Sequence, residues 1–316
     1  MSIRVNSFGG PLVWLFRKHF SNFTSSIMLN WAAKRYDQSI RTYIAWFNER
    51  SANAGEAPLF LNVMIETHNR CNGKCEFCPA NVRDEKRPYK KMSDETFRNI
   101  IDQLAEQKWG GHIYLDINNE PLIDKRIEAF SKYIKDKTSA KVVVITNGTL
   151  LQESRIDELF KYIDEIIIND YGEKYRLSAT HRNIYQYIKK NRKKFDHVKV
   201  TINRRYAKEI LATRAGYAPN KPKKNNTISN PCVYPFMDIP IFPDGKVGMC
   251  CNDCFEKTDF GNVNEQSLLE IWNGKSFQDL RRKLTSGRAG IEECNRCDVV
   301  DAGSREQYIK DALSDK

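Results

Sequence analysis

The sequence predicts an α/β protein built on a partial (β/α)6 TIM-like barrel, with a helical extension before the barrel and a small cysteine-rich domain after it. Three observations predict this arrangement. Strand-length apolar runs alternate with amphipathic segments from residue 59 to residue 213, aromatic residues recur at helical spacing before residue 59, and six of the nine cysteines follow residue 231. Because alternating strands and helices are typical of a parallel sheet, we expect the chemistry at the carboxyl ends of the strands.

Residues 1–58 form the predicted extension, in which apolar side chains recur at steps of three and four, as in an amphipathic helix. These side chains are Leu12, Phe16, Phe20, Phe23, Ile27 and Trp31. Aromatic residues at 43–47 predict further helical turns, and a linker containing glycine and proline follows at 52–58. We expect the apolar face to pack on the barrel, and a peripheral membrane contact by residues 1–50 is the alternative.

The predicted barrel covers residues 59–218 and alternates strands with helices. The predicted strands are 59–66, 112–117, 141–146, 165–169, 198–203 and 208–213. The predicted helices are 93–107, 125–137, 152–162 and 185–194, and Ser93 is suited to cap the first of them.

The predicted C-terminal domain covers residues 219–316 and begins within a basic, Pro- and Asn-rich hinge at 217–230. Its sequence predicts a hairpin around Pro243-Asp244-Gly245, which is typical turn chemistry, and a helix at 268–284. This domain holds the six later cysteines.

The composition excludes some classes of function. The chain carries 51 Lys and Arg against 40 Asp and Glu, which gives a formal charge of +11. This surplus favours an anionic small-molecule substrate through electrostatic steering, whereas the absence of a binding motif argues against nucleic acid. No apolar stretch reaches the length of a membrane span and no secretory signal is evident, so we expect a cytoplasmic protein. In that reducing compartment, clustered cysteines favour metal binding over disulfides.

Three cysteines stand directly after the first predicted barrel strand, as Cys71, Cys75 and Cys78. Three thiolates within eight residues can bind one soft metal centre, and they are one ligand short of what a 4Fe–4S cube needs. The fourth iron would then be open to a small molecule, as in catalytic metal sites. The alternative is a zinc site that takes a distant fourth ligand such as His68.

This Cys-x3-Cys-x2-Cys spacing, with Phe77 before the last cysteine, resembles the signature of radical S-adenosylmethionine (radical SAM) enzymes. Asn118-Asn119-Glu120-Pro121 stands where the family carries a Gly-Glu-Pro segment, and Thr146-Asn147-Gly148 is similar to another segment near its SAM pocket. The resemblance implies cofactor-binding roles for Phe77, Glu120 and Asn147, with Glu120 contacting the methionyl amine of SAM. It also implies that a 4Fe–4S cluster on the cysteine trio cleaves SAM to a 5′-deoxyadenosyl radical, which abstracts a substrate hydrogen.

The later cysteines are Cys232, Cys250, Cys251, Cys254, Cys294 and Cys297. Six ligands support one further four-iron cluster and not two, since two fully cysteine-ligated cubes need eight. The tail resembles the short Twitch version of the SPASM domain of radical SAM enzymes, which implies Cys232, Cys250, Cys294 and Cys297 as ligands of an auxiliary 4Fe–4S cluster. Cys251 and Cys254 are extra to that pattern, and either could displace Cys250. Zinc is the alternative metal.

The segment Arg214-Ala215-Gly216 is similar to one in radical SAM dehydrogenases that act on cyclitols. That similarity implies Arg214 at the substrate hydroxyl, as a base or, more in keeping with its ordinary pKa, as a clamp. We therefore expect oxidation of an alcohol in a sugar, cyclitol or nucleotide-linked metabolite, with one electron passing to the auxiliary cluster and an external donor such as flavodoxin or ferredoxin. Two alternatives stay open. One is a radical SAM enzyme that forms C–C or thioether bonds in a peptide or metabolite, and the other is a non-catalytic, metal-bearing interaction protein.

Overall fold

The computed structural model describes residues 3–7, 11–81, 87–172, 176–221, 230–300, 309–310 and 313–314. Within the first helix, the side chains described are those of residues 27, 31 and 33–54. Part of the predicted hinge, 222–229, lies outside the described residues.

Seven strands form one sheet in which every neighbouring pair is parallel. They are β1 (Ile3–Ser7), β2 (Asn62–Ile65), β3 (His112–Tyr114), β4 (Lys141–Thr146), β5 (Glu165–Tyr171), β6 (Lys199–Arg205) and β7 (Asp238–Ile241). Their order is β1-β6-β5-β4-β3-β2-β7, so the five central strands follow one another as in a (β/α) barrel. Among the described residues the two edge strands, β1 and β7, do not pair with each other, and the sheet stays open.

Eight α-helices accompany the sheet in the described part of the chain. They are α1 (Pro11–Ala54), α2 (Asp94–Glu106), α3 (Ile127–Lys137), α4 (Glu153–Leu159), α5 (Ala179–Lys190), α6 (Tyr234–Met237), α7 (Leu268–Asn273) and α8 (Lys275–Thr285). Helices α2 to α5 connect consecutive parallel strands. The predicted cap of α2 is confirmed, since the Ser93 side chain accepts a hydrogen bond of 2.9 Å from the backbone N–H of Thr96.

Five of the six strands predicted in the barrel are confirmed, and the strand predicted at 208–213 is wrong. Instead of pairing in the sheet, this segment is bound to the C-terminal region, because the Thr213 N–H donates to Asp298 Oδ1 at 2.6 Å. The sequence also failed to predict β1 and β7. The run that forms β7 contains Pro240, which argues against a central strand and is compatible with the sheet edge where β7 lies.

The predicted hairpin around Pro243-Asp244-Gly245 is present, with antiparallel bridging between Ile241 and Val247 and a left-handed Gly245 at φ 83°. The helix predicted at 268–284 is two helices, α7 and α8. They meet at Gly274, whose extended backbone breaks the helical path.

Most of the extension is one continuous helix, α1, of 44 residues, and side chains of its second half contact the core. Tyr43 and Phe47 are 1% exposed, and the Phe47 ring meets the edge of the Phe236 ring at 5.2 Å. By contrast, Ile27 is 52% exposed and Trp31 is 59% exposed. The predicted packing of the apolar face is therefore wrong at these two residues, since the packed face is set by a different group of side chains.

The helical repeat explains this difference. Trp31 precedes buried Ile40 by nine residues, which places it about 180° around the helix axis. The side chains of the other four predicted members of the face lie outside those described. Among the described residues, no helix is both long enough and apolar enough to cross a membrane.

We predict that Phe47→Ala destabilises the protein by about 3–5 kcal/mol, because it empties an aromatic position in the core. Trp31→Ala should change the free energy of unfolding by less than about 0.5 kcal/mol, since the ring is exposed. Chemical denaturation of both variants measures the two values. Equal losses would contradict the placement of Phe47 in the core and of Trp31 outside it.

Candidate functional site

The cysteine trio lies on the loop that leaves the carboxyl end of β2. All three side chains are partly buried, and the loop is held by the Cys78 N–H, which donates to the Cys75 carbonyl at 3.1 Å, and by the Gly73 N–H on Cys71 Sγ at 3.3 Å. Burial raises the pKa of Cys71 to about 11 and that of Cys75 to about 12. These thiols therefore stay protonated at neutral pH until a bound metal centre displaces their protons.

His68 does not suit the role of a fourth zinc ligand, because both of its ring nitrogens have backbone partners. Its Nδ1 accepts from the Arg70 N–H at 3.2 Å, which leaves Nε2 to donate to the Glu120 carbonyl at 3.1 Å. Burial lowers the pKa of His68, in keeping with the neutral ring that this pattern requires.

Glu120 lies in the turn after β3 and is 2% exposed. Its Oε1 accepts from the Thr146 hydroxyl at 2.6 Å and from the Leu122 N–H at 3.2 Å, and its Oε2 accepts from the Asn147 N–H at 2.8 Å. Burial raises the pKa of Glu120 in spite of these hydrogen bonds. Oε2 keeps a lone pair that a further donor can use.

Asn147 connects the trio loop to the loop after β4. Its side-chain amide donates to Asn72 Oδ1 at 2.7 Å, and Asn72 in turn donates to Thr149 Oγ1 at 2.9 Å. The trio loop, Glu120 and residues 146–149 therefore form one hydrogen-bonded unit at the carboxyl ends of β2, β3 and β4. Phe77 lies elsewhere on the trio loop, where it is buried with its ring 5.6 Å from the ring of Tyr171 at the end of β5.

His181, in helix α5, contacts this hydrogen-bonded unit. Our sequence analysis missed it, because a histidine in a helix has no distinguishing sequence signal. Its Nε2 pairs with the Asn147 carbonyl at 2.8 Å, and its Nδ1 lies 2.6 Å from Ser178 Oγ and 3.2 Å from Asp170 Oδ1. Gly148 must be a glycine here. Its φ is 73°, and an added Cβ would lie 2.9 Å from His181 Nε2.

Four of the six later cysteines line one cavity in the C-terminal region, and they are Cys232, Cys250, Cys294 and Cys297. Cys251 and Cys254 are not among its lining residues. Burial raises the pKa of Cys250 well above its ordinary value, and the neighbouring thiols add to that effect. Of the alternatives left open by the sequence, the geometry therefore favours Cys250 as the fourth member of this set.

Arg288 provides positive charge at this cavity. It is 2% exposed, and its guanidinium donates to the carbonyl of Val299 at 2.7 Å and to that of Cys297 at 3.3 Å. Burial alone would lower the pKa of Arg288, but Cys232, Cys297 and Cys294 together raise it above its ordinary value. A permanent cation next to four thiolates offsets part of their negative charge.

The four lining cysteines surround a cavity and are not gathered around one point. Among the described residues, no three His, Cys, Asp or Glu side chains converge closely enough to hold one metal ion.

Arg214 lies between the two sets of cysteines. Its Nη2 donates to Asn118 Oδ1 and lies 3.7 Å from Cys254 Sγ. Burial alone would lower its pKa, but the neighbouring cysteines Cys254, Cys78 and Cys251 raise it above the ordinary value for arginine. Arg214 is thus held protonated and suits the clamp role better than the base role.

The backbone at Arg214 is strained. Arg214 and Ala215 have φ values of 50° and 56°, and Gly216 follows at 85°. Left-handed conformations are costly for residues with a Cβ and tend to occur where function fixes the backbone. Contacts from the C-terminal region hold this segment, including the Thr213 hydroxyl on the Arg296 carbonyl at 2.6 Å.

Two buried carboxyl groups, both missed in our sequence analysis, complete the polar centre. Glu66 follows β2, and burial raises its pKa to about 8, while Asp116 lies just beyond β3, and burial raises its pKa to about 7. Each accepts one backbone hydrogen bond, from the Asn118 N–H at 3.0 Å and from the Ile145 N–H at 3.3 Å, respectively. The sequence did offer one signal for these two residues, because each is an acid at the carboxyl end of a predicted barrel strand.

Two family models match the chain. Residues 65–204 match the radical SAM superfamily, and residues 232–298 match the SPASM iron–sulfur cluster-binding domain. The predicted limits of the domains, at 58/59 and 218/219, lie outside both matches and stay predictions.

The chain is similar in sequence to two named bacterial proteins. The chain is 26% identical over 257 residues to the S-adenosyl-L-methionine-dependent 2-deoxy-scyllo-inosamine dehydrogenase of Niallia circulans, which covers 79% of this chain and 97% of that enzyme. It is also 28% identical over 124 residues to the antilisterial bacteriocin subtilosin biosynthesis protein AlbA of Bacillus subtilis (strain 168), which covers 37% of this chain and 25% of AlbA.

Solved structures share the fold. The crystal structure of BtrN in complex with AdoMet and 2-DOIA matches with a TM-score of 0.67 and 25% identity, covering 80% of this chain and 98% of that one. Native anSMEcpe with bound AdoMet matches with a TM-score of 0.51 and 13% identity, covering 75% of this chain and 88% of that one, which shows likeness of fold alone.

We predict that Gly148→Ala loses more stability than Gly290→Ala. Both glycines have left-handed backbones, at 73° and 86°, which costs a residue with a Cβ roughly 1–2 kcal/mol. An added Cβ at Gly290 meets open space, whereas at Gly148 it meets Ile168 and His181, so Gly148→Ala should lose about 1–3 kcal/mol more. Denaturant titration compares the two variants, and equal losses would show that His181 does not press on this loop.

Proposed function

The chain is a radical SAM enzyme with a C-terminal SPASM iron–sulfur domain, and from this we propose that it oxidises an alcohol of a small metabolite to a ketone or aldehyde. The observation that carries the proposal is the position of Arg214. This cation lies near Cys78 of the trio and 3.7 Å from Cys254 of the later cysteines, and the next residue, Ala215, lines the cavity. Similarity to the cyclitol dehydrogenase over 97% of its length supports the same reaction class.

The two cysteine sets hold two 4Fe–4S clusters in this proposal. Cys71, Cys75 and Cys78 bind the cluster that takes SAM, and the four cysteines that line the cavity bind the auxiliary cluster. When bound, these groups supply the radical that removes a hydrogen atom from the substrate and the acceptor for the remaining electron.

The hydrogen-bonded unit around Glu120 binds and orients SAM. Glu120 Oε2 accepts from the Asn147 N–H and has a lone pair left for the methionyl ammonium of SAM. Asn147 ties this carboxylate to the trio loop through Asn72, so the SAM pocket and the cysteine loop hold a fixed relative position. Phe77 keeps its side of the trio loop packed against Tyr171 and away from water.

Arg214 binds the substrate oxygen. Its guanidinium stays protonated among the surrounding thiols and is aimed by its hydrogen bond to Asn118. A planar donor of this kind can orient a hydroxyl or a phosphate oxygen, in keeping with the overall charge of +11.

The proposed substrate is a sugar, a cyclitol or a nucleotide-linked metabolite. A cytoplasmic location and an external electron donor such as flavodoxin or ferredoxin complete the proposal. Formation of C–C or thioether bonds is not favoured, since the likeness to the bacteriocin biosynthesis protein spans only 25% of that protein. A non-catalytic interaction protein is not favoured either, since residues 65–204 match the radical SAM superfamily.

Turnover of the reconstituted enzyme tests the reaction class. We expect that SAM, dithionite and a panel of aminocyclitols, sugar phosphates, nucleotide sugars and peptides will yield 5′-deoxyadenosine together with a product two hydrogens lighter than one of the alcohols. Deuterium placed on the carbinol carbon should appear in 5′-deoxyadenosine by mass spectrometry. A product formed by joining two atoms without loss of the alcohol would contradict the proposal.

Iron content tests the ligand assignment. The reconstituted protein should bind roughly eight irons per chain, as expected for two four-iron clusters. Cys250→Ser should reduce this to about four, because it removes a thiol that lines the cavity. Cys251→Ser and Cys254→Ser are the matched controls and should keep both clusters. If Cys251→Ser lost four irons and Cys250→Ser lost none, the assignment of Cys250 would be wrong.

A further inference from the structure

We infer that Asp116 accepts the hydroxyl proton of the substrate when the alcohol is oxidised. The inference rests on the proposed function and names the residue that performs one step of it. The group that performs this step must lie near Arg214, have an oxygen free for a ligand and exist without a proton at neutral pH.

Asp116 has the required position and a free oxygen. It lies two residues beyond β3, at the same edge of the sheet as the trio loop and Glu120, and is 9% exposed. Its Oδ1 accepts from the Ile145 N–H at 3.3 Å, which fixes the carboxyl group on the neighbouring strand. Among the described residues, its Oδ2 has no hydrogen-bond partner and is not one of the fully enclosed polar atoms.

The ionisable groups that face Asp116 come from three other segments. Glu66 is one of them, and the Asp116 charge helps to raise the pKa of Glu66. Of the other two, Arg214 favours the Asp116 carboxylate, whereas Glu120 disfavours it. Together with burial, these charges leave the pKa of Asp116 at about 7. A base whose pKa lies near the working pH is both available and strong enough to take a proton.

The other candidates fit less well. Arg214 is held protonated, and the buried Cys254 thiol has a raised pKa, so neither is free to accept a proton at neutral pH. Glu66 is 0% exposed with an enclosed, unpartnered Oε2, and burial raises its pKa to about 8. Glu66 is therefore protonated at neutral pH and can donate a hydrogen bond instead of accepting a proton.

Oxidation of the alcohol breaks two bonds of the substrate. The carbinol C–H bond breaks, and the radical supplied by SAM would take its hydrogen atom. The O–H bond breaks, its proton passes to Asp116 Oδ2, and a C=O bond forms. A cluster held by the four cysteines that line the cavity would accept the one electron left over. The substrate thus loses two hydrogens, and the carboxylate gains one proton.

Asp116→Asn separates the proton transfer from the hydrogen abstraction. The amide keeps the shape and an acceptor for Ile145, so binding of SAM measured by equilibrium dialysis should be unchanged. Deuterium from the carbinol carbon should still reach 5′-deoxyadenosine, while formation of the carbonyl product falls about 100-fold or more. A rate of carbonyl formation within threefold of the wild type would overturn the inference.

The pH profile supplies a readout that a structural role would not change. In the wild type, the rate of carbonyl formation should fall about tenfold per pH unit below pH 7, because protonated Asp116 cannot accept a proton. Asp116→Glu should keep this acidic limb at a lower rate, and Asp116→Asn should lose it. Glu66→Gln is the matched control and should retain the limb, whereas loss of the limb in Glu66→Gln alone would assign the proton to Glu66.

Infrared titration of the reconstituted protein, without turnover, provides the second measurement. A carboxylic acid band that titrates near pH 7 should be absent from Asp116→Asn and present in Glu66→Gln. If the band is unchanged in Asp116→Asn, the inference is wrong even if the enzyme oxidises alcohols. If the wild type forms no carbonyl product from any alcohol, the proposed function fails and this inference fails with it.

Discussion

The candidate site depends on the parallel pairing of the strands. Because β2, β3 and β4 run in one direction, the loops that follow them meet at one edge of the sheet. These loops carry the cysteine trio, Glu120 and Asn147, which are distant in sequence. The hydrogen bonds from Thr146 and Asn147 to Glu120 then fix the loops to one another. A single strand in the opposite direction would move its loop to the far edge and separate the residues proposed to bind SAM.

The electrostatics of the carboxyl edge of the sheet is a second constraint on the site. Many ionisable side chains lie there, and burying them in their charged form is costly. Thiols and carboxyls dominate it, and burial raises the pKa of Cys71, Cys75, Glu66 and Asp116. Arg214 and Arg288 are the buried cations that offset them, one in the polar centre and one at the later cysteines. A bound metal centre replaces the protons of the thiols. Cofactor binding and the folding stability of this edge of the sheet are therefore linked.

The sequence predicted those parts of the fold and site whose cause is local. The apolar run of β4 has the same limits in the structure, Ser93 caps α2, and the spacing of the trio pointed to the radical SAM superfamily, which residues 65–204 match. Residues that act through distant partners were missed. His181 gains its role only when α5 brings it to the Asn147 carbonyl, and Asp116 becomes a base only when the surrounding elements exclude water from it. Likewise, β1 and β7 are strands because the sheet offers edges, which no short sequence pattern reveals.

The pairing of β7 explains how the C-terminal cysteines are positioned against the trio. β7 pairs in parallel with β2 from Asn62–Asp238 to Ile65–Ile241, and the Glu66 N–H extends the ladder to the Ile241 carbonyl at 2.9 Å. The trio loop begins a few residues beyond this last bond on one strand, and the hairpin leading to Cys250 begins beyond it on the other. This ladder of backbone hydrogen bonds thus fixes the hairpin that leads to Cys250 relative to the trio loop. Electron transfer between a substrate radical and a second cluster requires such a fixed arrangement. The unpredicted edge strand therefore connects the two halves of the proposed reaction.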